Sequence, residues 1–320
     1  MTVLAGKRPL RRSAAGRTRL SRADRVFYTV NGALMLVMFL LVLLPILTLF
    51  ANALSESNAV ASGKVTFWPL VRGEGNTYQL GISLAGFKAA FQNNKLVAGY
   101  GNTILYTAAG TCLNLFLTIL AAYPLSRSDL PGRNKFMAFF AFTMIFNAGM
   151  MPNYLLMREL KLMNTRWAMI LPLAINVYNM VICRTFFQST IPRELLEAAQ
   201  LDGCDDFHFV LRIVLPLSKA VIAVIGLYYA VYHWNAYFNA FMYLTDSGLY
   251  PLQIILRDIL LSSAVSPDML EGAVTGSVDL NMIHVLKYAV IIIACLPIWC
   301  VYPFLQKYFV QGVMIGSIKG

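Results

Sequence analysis

Charged side chains are scarce in this sequence. Asp, Glu, Lys and Arg supply 13% of its 320 residues, against about 25% in a typical soluble domain. Apolar residues supply 58% of the chain and recur in runs of about 20, the length at which a helix crosses a hydrocarbon core of ~30 Å. Because backbone groups in lipid must find their hydrogen-bond partners within the chain, this composition predicts an all-α polytopic membrane protein rather than a soluble domain.

The motifs of nucleotide and hydrolytic chemistry are missing as well. The chain has no Gly-x-x-x-x-Gly-Lys-Ser/Thr phosphate loop, so it lacks the backbone nest and the lysine with which ATP would be bound and cleaved. It has neither His-Glu-x-x-His nor Gly-x-Ser-x-Gly. Its five cysteines are scattered, without zinc-ligand spacing or the pattern of a disulfide framework. The sequence therefore predicts no catalytic residue, metal or cofactor in this chain.

Positive charge is concentrated before the first apolar run. The formal net charge is +11, and within residues 1–26 Asp24 is the only acid among the basic side chains. A basic tail beside a membrane helix predicts a cytoplasmic N-terminus, and the lack of interleaved aromatic residues argues against nucleic-acid binding. The apolar run 27–50 is longer than the ~7–15 residues of a signal-peptide core, which favours an uncleaved helix.

Six apolar spans can be drawn behind that tail, in a membrane domain of residues 27–320. The segments 53–98 and 244–281 are predicted to be outer loops, whereas the loop 189–213 is predicted to lie in the cytoplasm. An even number of spans returns the C-terminus to the cytoplasm. The predicted spans are 27–52, 99–126, 135–157, 167–188, 214–243 and 283–305.

The cytoplasmic loop between the fourth and fifth spans is polar, and its residues predict two short helices. Pro192 suits a first helical turn, and Glu197 follows near the positive end of the helix dipole. Gly203 is placed to end this helix because it adopts a positive φ without a Cβ clash. Asp205 or Asp206 can cap a second helix, whose apolar face would invite a protein partner. That face is predicted to present Phe207, Phe209, Val210 and Ile213.

The spacing of Glu197-Ala198-Ala199, Gly203, Ile213 and Leu215-Pro216 resembles the EAA motif of ABC-importer permeases. The resemblance implies a type I ABC importer permease fold with six transmembrane helices, in which this loop is the coupling helix that docks into a cleft of a cytoplasmic ATPase subunit. It also implies that ATP and Mg are bound by two partner ATPase subunits. The implied docking residues are Glu197, Ala198, Ala199, Asp202, Gly203, Phe207, Ile213, Leu215 and Pro216.

Further segments resemble the maltose-type carbohydrate permeases, in their MalG-like and LplC-like branch. These segments are Asn102-Thr103, Ala121–Arg127, Leu162–Trp167, His233-Trp234-Asn235 and Gly312–Gly320. The chain departs from that pattern at Ala236, where an acid is common, and at Pro124, where many members have Ala. The resemblance implies a subunit of the bacterial cytoplasmic (inner) membrane that pairs with a homologous permease around a path for an oligosaccharide. An extracytoplasmic binding protein would deliver the sugar.

Polar and aromatic side chains inside the spans are candidates for lining this path. Sugars are bound through their hydroxyls and by stacking on aromatic rings, and polar groups in a membrane usually face a bundle interior or a wet path. The candidates are Tyr232, Trp234, Asn235, Asn176, Tyr178 and Asn179. The same residue types also suit an aromatic belt at the membrane interface or amides that bridge helices.

Two other functions stay open at the level of sequence. One is an ABC permease for a different cargo, such as a peptide, phosphate or an amino acid. The other is a secondary transporter or membrane enzyme that works alone. Against the second, the spans lack the buried Asp and Glu relays on which such proteins depend.

Overall fold

A computed structural model describes residues 21–74, 77–146, 148–264 and 280–317. The chain divides into two units, residues 1–49 and 50–320. The first unit holds most of helix α1 (Arg22–Ala53), whose apolar side chains are largely exposed. Such a surface is stable against hydrocarbon rather than water, as expected for a membrane span. The basic residues 7–19 of the predicted tail lie outside the described residues.

The predicted outer loop 53–98 contains short elements of its own. They are α2 (Ser57–Ala61), β1 (Leu70–Arg72), β2 (Tyr78–Leu80) and α3 (Ala85–Gln92). The strands pair antiparallel with Val71 opposite Gln79, so the prediction of an all-α chain is wrong at this hairpin. Strands of three residues are too short to show the alternation by which a strand is recognised in a sequence.

The remaining described helices follow in the second unit. They are α4 (Asn94–Ser126), α5 (Arg133–Ile145), α6 (Met150–Glu159), α7 (Trp167–Ile170), α8 (Val177–Thr190), α9 (Arg193–Leu201), α10 (Asp206–Phe209), α11 (Leu215–Leu217), α12 (Lys219–Trp234), α13 (Tyr237–Tyr243), α14 (Leu252–Ala264) and α15 (Leu280–Ser317). A π-helical turn, Val210–Val214, joins α10 to α11.

Helix α4 is the centre of this unit and runs unbroken for 33 residues. The Asn93 side chain caps it by accepting hydrogen bonds from the N–H groups of Lys95 and Leu96, at 3.1 and 3.3 Å. Its buried small and polar residues recur every three or four positions, which places them on one face. This face packs against α8 and α12, as small residues allow in membrane bundles. Its members include Gly99, Thr103, Gly110, Asn114 and Thr118.

Several of the predicted spans are broken. Among the described helices, α1, α4 and α15 are long and apolar enough to cross a membrane by themselves. Helices α5 and α6 meet at 113°, and α12 meets the segment Asp206–Leu217 at 84°; counting each bent pair as one span gives five. The predicted span 167–188 is divided into α7 and α8 by residues 171–176. The length of an apolar run can be read from a sequence, but whether the helix continues through it depends on local breaks, such as the one at Gly149 with a φ of +85°. The number of six spans therefore stays a prediction.

Helix α14 lies inside the segment 244–281 that the sequence predicts to be a loop. Leu252 belongs to a buried cluster with Leu96 of α4 and Val290 of α15, and its N–H donates a hydrogen bond to Oγ1 of Thr103 at 2.8 Å. The helix is amphipathic and shorter than a span, so a search for long apolar runs passes over it. The acidic residues Asp268, Glu271 and Asp279 of this segment lie outside the described residues.

Candidate functional site

The cytoplasmic loop of the sequence prediction folds as two short helices across a sharp turn. Helix α9 begins directly after Pro192, and Gly203 follows it with a φ of +77°, in the left-handed region that favours glycine. Asp205 caps α10 by accepting a hydrogen bond from the N–H of His208 at 3.1 Å. The predicted helix–glycine–helix geometry is confirmed, with Asp205 as the cap. Residues 193–214 are called the two-helix element below.

The cap on α10 carries a negative charge near neutral pH. Hydrogen bonds from the His208 side chain and N–H hold the pKa of the Asp205 carboxyl below its ordinary value. A charged carboxylate is the stronger acceptor at a helix N-terminus. The start of α10 is therefore fixed by a local contact that its own sequence supplies.

An exposed apolar tip surrounds the glycine turn. Leu201 and Phe207 are 89% and 67% exposed, and a partner that covered them would remove this apolar area from water. Leu201 was not among the predicted docking residues, although its place two positions before Gly203 could have indicated it. The predicted docking residues that are exposed are Glu197, Ala198, Asp202, Gly203, Phe207 and Pro216.

Three of the predicted docking residues are not exposed. Ile213 and Leu215 are half-buried, and Ala199 is buried in a cluster of the chain's own core. Ala199 therefore permits α9 to lie close to the rest of this chain. Glu197 remains accessible, and its carboxylate pairs with Arg193 one helical turn away at 2.8 Å.

Phe209 attaches the two-helix element to the membrane helices. Its side chain is 1% exposed, and its ring centroid lies 6.4 Å from that of Tyr123 on α4. Tyr123 is also 6.4 Å from the ring of Phe187 on α8. The prediction that Phe209 faces a partner is wrong, because α10 turns Phe207 and Phe209, two residues apart, toward opposite sides.

A cationic side chain at the end of α4 also contacts the element. Arg127 donates hydrogen bonds from Nε and Nη2 to the two carboxylate oxygens of Asp129, at 2.9 and 2.5 Å, and from Nη1 to Oδ1 of Asp206 at 2.5 Å. The hydrogen bonds from Arg127 lower the pKa of Asp129 to about 2. In the sequence Arg127 appears only as the last residue of a motif, and nothing there indicates its partner 79 positions away.

A cavity of about 790 Å³ lies where three broken segments meet. Gly149 lines it from the α5–α6 break, Leu173 from the α7–α8 break, and Tyr232 and Asn239 from either side of the α12–α13 break. Irregular backbone at membrane depth is tolerated where it is buried in protein or lines a wet cavity. Among the described residues around it, none has a charged side chain.

The polar groups of this cavity suit a polyhydroxylated ligand. The Asn239 amide donates a hydrogen bond to the Tyr232 hydroxyl at 3.4 Å, and Asn153 on α6 adds a second amide to the lining. Phe238 and Tyr243 contribute aromatic rings. Asn153 could have been found only as an isolated amide in an apolar run, and the bend that brings it here is not visible in the sequence.

Of the predicted path residues, Tyr232 is the one that lines this cavity. Trp234 is 6% exposed and donates from Nε1 to the carbonyl of Ala294 at 2.9 Å, which joins α12 to α15. The Asn235 amide donates to the Val231 carbonyl at 2.8 Å. These two contacts belong to the packing of the chain and to the end of α12.

The remaining path candidates lie around the start of α8. Asn176 caps this helix by accepting from the N–H of Asn179 at 3.1 Å, and its own N–H donates to the Tyr229 hydroxyl at 3.1 Å. Asn179 is buried and Tyr178 is 61% exposed. The structure therefore does not bring the predicted group together at one site.

Apolar helices, broken spans around an uncharged cavity, and a polar two-helix element attached to the bundle define a mostly helical membrane permease. The chain belongs to the family described as "binding-protein-dependent transport system inner membrane component", whose model matches residues 13–315. It is therefore a multi-pass, non-catalytic inner-membrane component of such a transporter, and ATP is bound by separate ATPase subunits.

Relatives match this chain over nearly its whole length. It is 38% identical over 303 residues to protein LplC of Bacillus subtilis, covering 94% of this chain and 97% of that protein. It is 38% identical over 298 residues to the B. subtilis polygalacturonan/rhamnogalacturonan transport system permease protein YtcP, covering 93% and 99%. A crystal structure of a bacterial ABC transporter involved in import of the acidic polysaccharide alginate contains a chain with a TM-score of 0.80 and 32% identity, covering 91% of this chain and 99% of that one.

Proposed function

We propose that this chain is the permease subunit of an ABC importer for an oligosaccharide, with pectin-type and other acidic oligosaccharides as the favoured cargo. The observation that carries the proposal is the 38% identity, over 93% of the chain, to a polygalacturonan/rhamnogalacturonan permease. The transporter with the similar fold imports another acidic polysaccharide. The size and lining of the 790 Å³ cavity support a sugar, since sites for small molecules span roughly 300–1,000 Å³.

In this proposal the sugar rings pass the cavity at the helix breaks. The amides of Asn153 and Asn239 and the hydroxyl of Tyr232 hydrogen-bond sugar hydroxyls, and the ring of Phe238 stacks on an apolar sugar face. The described residues of the lining are uncharged and give a sugar carboxylate no ion pair. Contacts in this cavity are therefore made to hydroxyls, which acidic and neutral sugars share.

The subunit has six spans in a type I fold, pairs with a homologous permease, and has both termini in the cytoplasm. An external binding protein delivers cargo to the outer segments 53–98 and 244–281. Two ATPase subunits bind the two-helix elements of the two permeases. When the ATPases close on ATP, they draw the two elements toward each other, and the helix bundles change from the inward-facing to the outward-facing state. Coupling means that ATP binding changes the free-energy difference between the inward-facing and outward-facing states, and that the docked element transmits this change.

Reconstitution tests the function. The chain, its partner permease and the ATPases are placed in vesicles with the binding protein, and uptake of labelled oligogalacturonide, maltotriose, dipeptide and phosphate is measured. We expect ATP-dependent uptake of a sugar. Preferred uptake of dipeptide or phosphate would contradict the proposed cargo, and uptake by this chain without ATPases would identify a stand-alone transporter.

Substitutions in the cavity test the site. We expect Tyr232→Phe and Asn239→Ala each to raise the half-saturation concentration for sugar uptake by about threefold to tenfold, the effect of losing a hydrogen bond of ~0.5–1.5 kcal/mol. Tyr228→Phe, on the same helix and partly exposed, is the matched control and should change little. If the half-saturation concentration were the same for all three variants, the cavity would not be part of the sugar path.

A further inference from the structure

The C-terminal end of α4 is held by side chains from two other helices. The last carbonyls of a helix lack partners within it and must be satisfied from elsewhere. Arg184 of α8 donates from Nε to the Leu125 carbonyl at 2.8 Å, and Gln188 of α8 donates to the Ser126 carbonyl at 3.2 Å. Arg133 of α5 donates from Nη1 to the Arg127 carbonyl at 3.2 Å. The backbone of Arg127 is thus fixed to the bundle.

The side chain of Arg127 extends this rigid end toward the two-helix element. Asp129 engages Nε and Nη2 in a bidentate pair, which fixes the plane of the guanidinium. Nη1 is thereby directed to Asp206, the first residue of α10. The Arg127 side chain is 17% exposed, whereas those of Asp129 and Asp206 are 50% and 61% exposed. The guanidinium is therefore largely shielded from water, and the two carboxylates that it contacts are exposed.

Asp206 and Phe209 are three residues apart and lie on the same face of α10. Phe209 is buried among rings of α4 and α8, and its contacts are non-directional. Ala199 and Val214 of the element lie in the same buried cluster, and their apolar contacts are non-directional as well. The hydrogen bond from Arg127 to Asp206 adds a directional contact one turn away from Phe209.

We propose that Arg127 is a positioning residue that fixes the orientation of the two-helix element relative to α4, so that the two move together during transport. This inference rests on the coupling role proposed above for the element. It adds a directional contact, beside the apolar packing of Phe209 on Tyr123, by which a displacement of the docked helices reaches α4.

The test uses the assembled transporter in vesicles and measures uptake of labelled oligogalacturonide per ATP hydrolysed. We expect Arg127→Gln and Asp206→Asn each to lower this ratio by about tenfold, with Arg127→Lys intermediate because it keeps the charge without the fork. The double variant should be no worse than either single variant, since both remove the same contact. Arg158→Gln, which breaks an exposed Arg158–Glu159 pair, is the matched control.

Stability separates positioning from a structural role. The carboxylates of Asp129 and Asp206, which lose their partner when Arg127 is replaced, are both exposed to water, so the melting temperature should change little and the ATPase subunits should still copurify. An unchanged uptake per ATP, additive losses in the double variant, or loss of ATPase binding together with a large drop in melting temperature would each overturn the inference. If Gly203→Val lowers uptake per ATP and Arg127→Gln does not, the positioning role alone fails; if neither does, the coupling role of the element fails.

Discussion

At the scale of single residues, the close approach of α4 and α12 depends on Gly110. A Cβ at this position would lie 2.4 Å from Nε2 of His233, and the residue is 2% exposed, so the imidazole is enclosed by the surrounding protein. The neighbouring hydroxyl contact between Thr118 and Tyr229, at 2.7 Å, joins the same two helices. Helices α4 and α12 are therefore held at a separation that a single methyl group would change.

The first prediction concerns this contact. We expect Gly110→Ala to destabilise the subunit by about 1–3 kcal/mol because of overpacking, seen as a lower melting temperature in detergent. Gly101→Ala is the matched control on the same helix, where a Cβ would meet nothing within 4 Å. Equal melting temperatures for the two variants would show that the His233 ring can be displaced at no cost.

At the scale of elements, the two-helix element depends on the conformation of its turn. Nothing lies within 4 Å of a Cβ built on Gly203, yet its φ of +77° is one that side chains with a Cβ rarely adopt. The requirement at this position is therefore one of backbone conformation and not of space.

The second prediction follows from that distinction. We expect Gly203→Val to abolish sugar uptake while membrane insertion stays normal, because a β-branched residue at positive φ would reorient α10 relative to α9. Gly203→Asn should retain most of the uptake, since Asn tolerates the left-handed region. Uptake assays on vesicles with equal amounts of inserted subunit distinguish the two variants. Normal uptake by the Val variant would contradict the role of the turn.

Elements governed by local rules could be predicted from the sequence, and those set by tertiary contacts could not. Gly203 and the Asp205 cap follow from backbone preference and short-range hydrogen bonds. The burial of Phe209 depends on its contact with Tyr123, a residue of α4 that lies far earlier in the chain. The cavity was missed for the same reason: three breaks far apart in sequence line it, and hydropathy records only the apolar length between them.

At the scale of the whole molecule, the proposed orientation of the chain rests on its charges and on its two-helix element. If the element docks on the ATPases as proposed, it faces the cytoplasm, and the number of spans before it determines the side of the N-terminus. The basic residues before α1 agree with this orientation through the positive-inside rule.

The third prediction is a topology. We expect a fluorescent protein fused after residue 320 to be fluorescent, and alkaline phosphatase inserted in the outer segment near Gly73 to be active, because the first folds in the cytoplasm and the second outside it. Alkaline phosphatase at the C-terminus serves as the reciprocal control and should be inactive. Active alkaline phosphatase at the C-terminus would contradict the prediction, because a chain with a cytoplasmic N-terminus would then have to cross the membrane an odd number of times.

Helix α4 runs without a break between two sets of contacts. Near its start Asn102 donates to the Gly248 carbonyl, and Thr103 accepts from the N–H of Leu252 on α14; directly after its end Arg127 contacts Asp206. Its 33 residues measure about 50 Å, which is long enough for the helix to act as a stiff lever between the two sides of the membrane in the proposed topology. A tilt of about 10° around its midpoint would displace each tip by roughly 4 Å, in opposite directions. A displacement of the cytoplasmic end of α4 would thus move its outer end as part of the same rigid body, without any intermediate relay of side chains.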